Sequence, residues 1–246
     1  QLAEQQQDTL KEVASDYQAY QTLLQTLAQD LKKLHNLPSI PDKIEYKRDT
    51  LIPFYQPIID AYRTACDTGQ PPYNNQVLVQ LVIWLFDVGN IAAALDWGRY
   101  AVTQKQPMPE RFKRDLPTYV VDATRQWAEL QRDHDRAVQP YVSDTLEFAL
   151  TEQWPVNGMA LCNLHKLAGD LAHEAGQLET ARDHFLQAVA LSPHKAKVTT
   201  KLNRINKALA KAEAEAKTDQ PEPGDETPEP TDDPEADAHA HAVPVD

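Results

Sequence analysis

The stretch of sequence that decides the fold is VLVQLVIWLFDVGNIAAALDWGRYAV, which occupies residues 77–102. Its first twelve residues are apolar on every side, a pattern that fits either a buried strand or a buried helix. Gly89-Asn90 is typical of a helix C-cap followed by a turn, and from Ile91 onward the apolar residues recur with the helical period. The sequence therefore predicts a helical hairpin with a buried first helix.

A second hairpin of the same kind is predicted 87 residues further along, with helices over Leu161–Ala175 and Leu178–Leu191. Gly169 and Phe185 stand at key positions of the tetratricopeptide repeat (TPR), in which a small residue lets two helices approach and a large one fills the space between them. The first hairpin is degenerate, because Gly98 stands where the large residue would be. Further helices are predicted over Ile52–Ala65, Pro117–Trp127 and Tyr141–Leu150. No β pattern competes, so the fold class is predicted to be all-α, a TPR-like array of helical hairpins.

The N-terminal segment has apolar residues spaced alternately by three and four positions, which is the heptad spacing of a coiled-coil seam. The seam consists of Leu10, Val13, Tyr17, Tyr20, Leu24, Leu27, Leu31 and Leu34. We predict a long helix within residues 1–37 that ends before Pro38. Two interpretations of the seam stay open: it mediates oligomerisation, or the helix packs on its own domain.

The charge is distributed very unevenly along the chain. The formal net charge is −13, yet residues 218–246 hold ten Asp and Glu and neither Lys nor Arg. Six of the 18 prolines also lie there, so low hydrophobicity, charge and proline together predict a disordered acidic tail. Residues 1–217 carry a net charge of only −3, so the bulk charge does not exclude a nucleic-acid partner.

The residues alone predict no catalytic site, no metal site and no cofactor. Neither GxxxxGK(S/T) nor GxGxxG occurs, and His173-Glu174 lacks the second histidine of a zincin motif. The acidic residues between Asp115 and Asp135 are interleaved with arginines, which is typical of a solvated, salt-bridged helix. No apolar run is long enough to span a bilayer, so no membrane association is predicted. Two lone cysteines fit a reducing cytosol.

Two basic clusters are the candidates for nucleic-acid contacts. The larger lies in residues 194–217, which have a net charge of +5 and an apolar stripe at Leu202, Ile205 and Leu209. This pattern predicts an amphipathic basic helix that either neutralises phosphates or forms an ordinary solvated cap on the helical array. The candidate residues are Lys195, Lys197, Lys201, Arg204, Lys207 and Lys211 in this helix, and Arg111, Lys113 and Arg114 in a short loop between prolines.

Two longer motifs carry a resemblance to a known family. Residues 51–58, LIPFYQPI, and residues 82–101, VIWLFDVGNIAAALDWGRYA, together resemble the small terminase subunit (M protein) family of P-two-type tailed phages. The resemblance covers most of residues 45–210. Its matching positions are Phe54, Pro57, Trp84, Asp87, Gly89, Ile91, Ala94, Leu95, Arg99 and Tyr100.

The resemblance implies a component of the DNA-packaging motor in the host cytoplasm. Such a subunit would form a homo-oligomer, bind the cos packaging site of double-stranded viral DNA and load that DNA onto the terminase large subunit. Because the large subunit carries the ATPase and nuclease, this chain is expected to be an accessory subunit of the endonuclease complex without catalysis of its own.

These observations divide the chain into a heptad helix over 1–37, a helical body over 42–217 that ends in the basic helix, and the disordered acidic tail over 218–246. The tail is expected to act as a binding peptide or as an intramolecular competitor for the basic helix, because a charge of +5 directly precedes one of −10. A TPR-like protein–protein adaptor without DNA binding explains the hairpins and the acidic balance equally well. Both functions stay open at this point.

Overall fold

The computed structural model describes the backbone of residues 2–218 and the side chains of residues 17–215. This part of the chain is all-α, as predicted, and it contains no β-strand. Its helices are α1 (Leu2–Asn36), α2 (Ile40–Tyr46), α3 (Ile52–Asp67), α4 (Gln76–Asp87), α5 (Ile91–Thr103), α6 (Leu116–Arg132), α7 (Tyr141–Thr151), α8 (Gly158–Glu174), α9 (Leu178–Leu191) and α10 (Thr199–Thr218). A π-helical stretch, Lys47–Leu51, joins α2 to α3. None of the helices within residues 2–218 has the length and apolar character needed to cross a bilayer.

The predicted buried helix is α4, which lies at the centre of the main core. All residues from Val77 to Leu85 are buried, which explains why this sequence is apolar on every side. Asn75 caps the N-terminus, because its side chain accepts hydrogen bonds from the N–H groups of Val77 and Leu78. Gly89 follows with a φ of +75°, a left-handed conformation that glycine adopts without strain. The predicted hairpin is confirmed as α4–α5.

The second hairpin, α8–α9, is also confirmed, and its turn glycine has the same left-handed conformation. A Cβ atom built on Gly169 would lie 2.7 Å from the Phe185 ring, so the ring needs a glycine opposite it to fill the space between the helices. In the first hairpin, a Cβ atom on Gly98 would lie 3.1 Å from Val120 of α6, so this glycine lets a third helix approach. Both contacts are compatible with a TPR-like array.

The apolar side chains form two cores that share α8. The main core extends from α1 to α8 and receives Leu164 and Leu167 from that helix. The second, smaller core lies between α8, α9 and α10 and is built around Phe185, Ile205 and Leu209. Burial of its own apolar stripe therefore holds α10 to the rest of the molecule.

The C-terminal half of α1 packs on the main core. Leu27 and Leu34 are buried in it, and Leu24 and Leu31 lie half-buried beside them. Asp30, on the same stretch of helix, accepts a 2.8 Å hydrogen bond from the Tyr55 hydroxyl. This half of the seam is therefore occupied by intramolecular contacts, as the second interpretation of the seam predicts.

The N-terminal half of the seam is different. Tyr17 is 66% exposed, and the side chains of Leu10 and Val13 lie outside the described residues. The acidic tail, predicted to be disordered, also lies outside them, since the described backbone ends at Thr218. Oligomerisation through the seam and the division of the chain at residue 37 stay predictions.

Candidate nucleic-acid interface

The predicted basic helix is α10, and its apolar stripe faces the second core while its cations are exposed. Ile205 and Leu209 are buried in the second core, and Leu202 lies half-buried beside them. Its candidate cations are all exposed: Lys201, Arg204, Lys207 and Lys211. Together with Lys195 and Lys197, we call these residues the basic surface.

The predicted basic helix was too long at its N-terminal end. α10 begins at Thr199, so Lys195 and Lys197 lie in the loop that follows α9. Lys197 has a φ of +54°, which is incompatible with a continuous right-handed helix. The loop is held in place because the side chains of Ala196 and Val198 are buried in the second core. Both lysines are exposed and extend the positive charge beyond the end of α10.

Most of the basic surface is free of intramolecular ion pairs. Lys201 pairs with Asp170 of α8, and Lys211 lies 3.6 Å from Glu215 on its own helix. The cations without a carboxylate at ion-pair distance among the described side chains are Lys195, Lys197, Arg204 and Lys207. Their charges are therefore available to an anionic partner.

The loop that carries the smaller basic cluster is held by packing and by its own cations. Arg111 donates a hydrogen bond to the buried Gln80 side chain, and Arg114 pairs with Asp122. Phe112 packs edge-on against Tyr119, at 5.6 Å between ring centroids. Two of the three candidate cations thus already have intramolecular partners. Lys113 is exposed and has no carboxylate partner within the described residues.

Between the two predicted clusters, the structure places cations that the sequence analysis did not select. α6 and α8 lie side by side in the same direction: the Asn157 N–H donates to the Thr118 hydroxyl at one end, and Arg132 pairs with Glu174 at the other. The cations that line the space between these helices are Arg125, Arg132 and Lys166. We call this space the α6–α8 groove.

Sequence reasoning missed this groove because Lys166 is isolated in the chain and the α6 arginines were assigned to a salt-bridged helix. A signal was nevertheless present, since Asn163, Lys166 and Asp170 follow one another at i, i+3 and i+7 and so share a helix face. That face becomes meaningful only when its neighbour is known to be α6.

The acidic residues of α6 are engaged in ion pairs, in agreement with the predicted salt-bridged helix. Asp122 pairs with Arg114, and Glu129 lies 2.5 Å from Arg125. Within residues 17–215, no three His, Cys, Asp or Glu side chains come together in a group that could hold a metal ion.

Two histidines are in contact between α8 and α9, His165 buried and His184 half-buried. The Nδ1 atoms of His165 and His184 lie 3.2 Å apart, so one ring donates a hydrogen bond and the other accepts it. Burial and, to a lesser degree, the neighbouring His184 lower the pKa of His165 to about 4. Burial also lowers the pKa of His184. Both rings are therefore neutral near pH 7 and hold the two helices together.

Comparison with known proteins identifies the family. The model of the phage small terminase subunit family matches residues 24–158, which is more than half of the chain. The chain belongs to this family. The matched terminase segment runs from α1 to the start of α8, so the basic surface of α10 lies outside it.

Two curated relatives of this terminase subunit come from phages. The chain is 29% identical over 166 residues to the probable terminase, endonuclease subunit of Haemophilus phage HP1 (strain HP1c1), which covers 68% of this chain and 56% of that protein. It is 27% identical over 191 residues to the terminase, endonuclease subunit of Escherichia phage P2, which covers 77% of this chain and 74% of that protein. The match thus spans little more than half the length of the HP1 relative. No solved structure matches the chain.

The motif that carried the family resemblance has a structural role in this terminase subunit. Trp84 is 1% exposed in the main core. Asp87 accepts a 2.7 Å hydrogen bond from Lys47 in the π-helical stretch, and Arg99 pairs with Glu152 at the end of α7. Trp84, Asp87 and Arg99 thus hold neighbouring elements of the fold together, so we expect other, exposed residues to contact other molecules.

Proposed function

We propose that this small terminase subunit binds the cos packaging site of double-stranded viral DNA through the basic surface. The observation that carries the proposal is the set of exposed cations without carboxylate partners on α10 and its preceding loop, in a chain of the small terminase family. A cation that neutralises a DNA phosphate releases condensed counterions, so each contact contributes to affinity and to its dependence on salt.

We further propose that the subunit self-associates through the N-terminal half of α1 and recruits and regulates the large ATPase–nuclease subunit in the host cytoplasm. Tyr17 supports the first point, because a tyrosine that is 66% exposed in the seam is available to a second copy of the chain. A homo-oligomer would repeat the basic surface and so raise the avidity for DNA.

The two curated relatives are named endonuclease subunits, and for this chain we propose that cleavage belongs to the complex with the large subunit. Asp122 and Glu129 support this proposal, because both are already paired with arginines. Purified protein incubated with cos DNA and Mg²⁺ is expected to leave the DNA intact. Cleavage without the large subunit would overturn this part of the proposal.

The DNA-binding proposal is tested by titrating a fluorescent cos duplex with the full-length protein at several salt concentrations. Replacing Arg204 and Lys207 together by Gln should lower the salt slope of log K by about 1.8, since each phosphate contact contributes roughly 0.9. A matched control replaces Lys32 and Lys105, which are also exposed, and so makes the same change in net charge elsewhere. The control should retain the affinity and the slope of the wild type.

A TPR-like adaptor without DNA contact is the second candidate, and the packing of Phe185 against Gly169 favours it. The same titration separates the two functions. If the wild type does not bind the duplex at low salt, the DNA-binding proposal is contradicted and the adaptor function is favoured.

A further inference from the structure

The α6–α8 groove continues at both ends into the two basic clusters. One end is a cavity of about 400 Å³ whose lining includes Lys113 and Arg114. The middle is a cavity of about 330 Å³ between the helices, and Lys166 reaches it from α8. The other end is a smaller cavity of about 100 Å³ lined by Lys201 and Arg204 of α10.

The three cavities are neighbours because they share residues of their walls. Arg125 and Asn163 line both the first cavity and the middle one. Asp170 lines both the middle cavity and the last one. The cavities therefore adjoin in series, and we call this series, from the loop before α6 to the start of α10, the depression.

The charge along this depression is positive. Its lining cations outnumber its carboxylates. Three of the carboxylates are in ion pairs, Asp122 with Arg114, Glu129 with Arg125 and Asp170 with Lys201. The fourth, Asp115, caps the N-terminus of α6 by accepting from the Thr118 N–H. The cations left without a carboxylate partner among the described side chains are Lys113, Lys166 and Arg204, one in each section. Asn163 adds an uncharged hydrogen-bond donor to the wall.

The length of the depression matches a run of DNA backbone. Its wall on α8 extends from Met159 to His173, which corresponds to about 21 Å at 1.5 Å per residue. Successive phosphates of one DNA strand rise about 3.4 Å along the duplex axis and lie farther apart along the winding strand itself, so this length accommodates fewer than about six phosphates. The three unpaired cations, one in each section, thus lie within the span of a single strand.

We propose that the α6–α8 groove is a phosphate-binding track that guides one strand of duplex DNA from Lys113 to the basic surface, with Lys166 at its centre. This inference rests on the proposed DNA binding and extends it to a residue that belongs to neither predicted cluster. Duplex DNA is favoured as the occupant because the unpaired cations lie one in each of three adjoining cavities rather than together in one.

The test compares Lys166→Gln with the wild type in duplex titrations over a range of salt concentrations, using the full-length protein. Loss of one phosphate contact should lower the salt slope by about 0.9 and weaken binding about eightfold at 0.1 M salt. Lys32→Gln, on the exposed side of α1, makes the same change in net charge and should bind as the wild type does. Lys113→Gln, on an exposed loop, should reproduce the effect and serves if Lys166→Gln does not fold.

The outcomes separate the groove from the proposed function. If the wild type does not bind duplex, the proposed function itself fails. If the wild type binds and Arg204→Gln lowers the slope while Lys166→Gln and Lys113→Gln match Lys32→Gln, only the groove inference is overturned. Tighter duplex binding by Lys166→Gln would also overturn it, because the groove would then hold a competitor such as the acidic segment 219–246.

Discussion

The contact between Gly169 and Phe185 determines how closely α8 and α9 approach. Phe185 is fully buried, so its ring has no room to move away from an added side chain. The same ring faces the second core, where Ile205 and Leu209 of α10 are anchored. Phe185 therefore affects both the distance between α8 and α9 and the position of α10, which carries most of the basic surface.

We expect Gly169→Val to destabilise the protein by roughly 1–3 kcal/mol, because the new carbons overlap the Phe185 ring. Urea unfolding measures the loss. The double variant with Phe185→Leu should recover part of it, since neighbouring substitutions are not additive. Equal losses with and without the second substitution would show that the ring is not the obstacle.

The histidine pair predicts a dependence of stability on pH. The pKa of His165 in the folded chain, about 4, lies below its ordinary value of 6.5, so the unfolded chain binds the proton more readily. The contribution of this residue to stability is complete above pH 6.5 and falls toward pH 4, with a slope of up to about 1.4 kcal/mol per pH unit. Unfolding free energies measured between pH 7 and 5 should show this slope.

His165→Gln should reduce the slope in that window, because the substituted side chain does not titrate and only His184 of the pair still does. His134→Gln, at the exposed end of α6, is the matched control and should keep the slope of the wild type. An unchanged slope in His165→Gln would assign the pH dependence to other groups.

At the scale of the elements, substitutions in the two halves of the α1 seam should have different effects. Leu27→Ala removes a buried side chain from the main core and should lower the unfolding free energy by about 2–5 kcal/mol, measured by urea unfolding.

Tyr17→Ala should change the unfolding free energy by less than about 0.5 kcal/mol, because the side chain is exposed. If the N-terminal half joins copies of the chain, Tyr17→Ala should instead weaken self-association in sedimentation experiments. A wild type that is monomeric at micromolar concentration would contradict that role.

Local sequence patterns predicted most of the helices but not their neighbours. The α4–α5 and α8–α9 hairpins followed from apolar periodicity and turn glycines, which depend on nearby residues alone. The start of α10 was misplaced because nothing in the sequence shows that Ala196 and Val198 are buried and hold a left-handed residue between them. The sequence also could not show that the C-terminal half of α1 packs on its own domain. That packing involves contacts between residues far apart in the chain, such as Asp30 with Tyr55.

The candidate site, too, could be predicted where its residues are close in sequence and could not where helix packing brings them together. The cations of α10 are clustered in sequence and could be selected from it, whereas Lys166 belongs to a surface only because α6 and α8 run in the same direction. Conversely, Arg111 and Arg114 were selected for their charge, but the structure gives both of them intramolecular partners. Charge density along the chain identifies candidates, and only the packing of helices shows which charges are free.

At the scale of the whole molecule, the net charge of −13 separates into a nearly neutral body and an acidic C-terminal segment. The segment 219–246 carries ten acidic residues and follows α10 directly in the sequence. A tethered segment has an effective concentration on the order of millimolar toward a nearby site. We therefore expect it to compete with DNA phosphates for the cations of the basic surface.

We expect a synthetic peptide of residues 219–246, added at about millimolar concentration, to weaken duplex binding by the full-length protein several-fold. The effect should fade as salt is raised, because it depends on screened charges. A peptide in which all ten acidic residues are replaced by Asn or Gln is the control and should have no effect. Equal effects of the two peptides would rule out charge competition.

The sharing of α8 between two cores has a consequence for how such chains diverge. Leu164 and Leu167 anchor α8 in the main core, while Phe185, Ile205 and Leu209 fasten the last two helices to its other side. Changes in α9 and α10 can therefore accumulate without disturbing the packing of α1 to α7. We therefore expect the outer faces of α9 and α10 to accept new side chains at little cost to the stability of the main core.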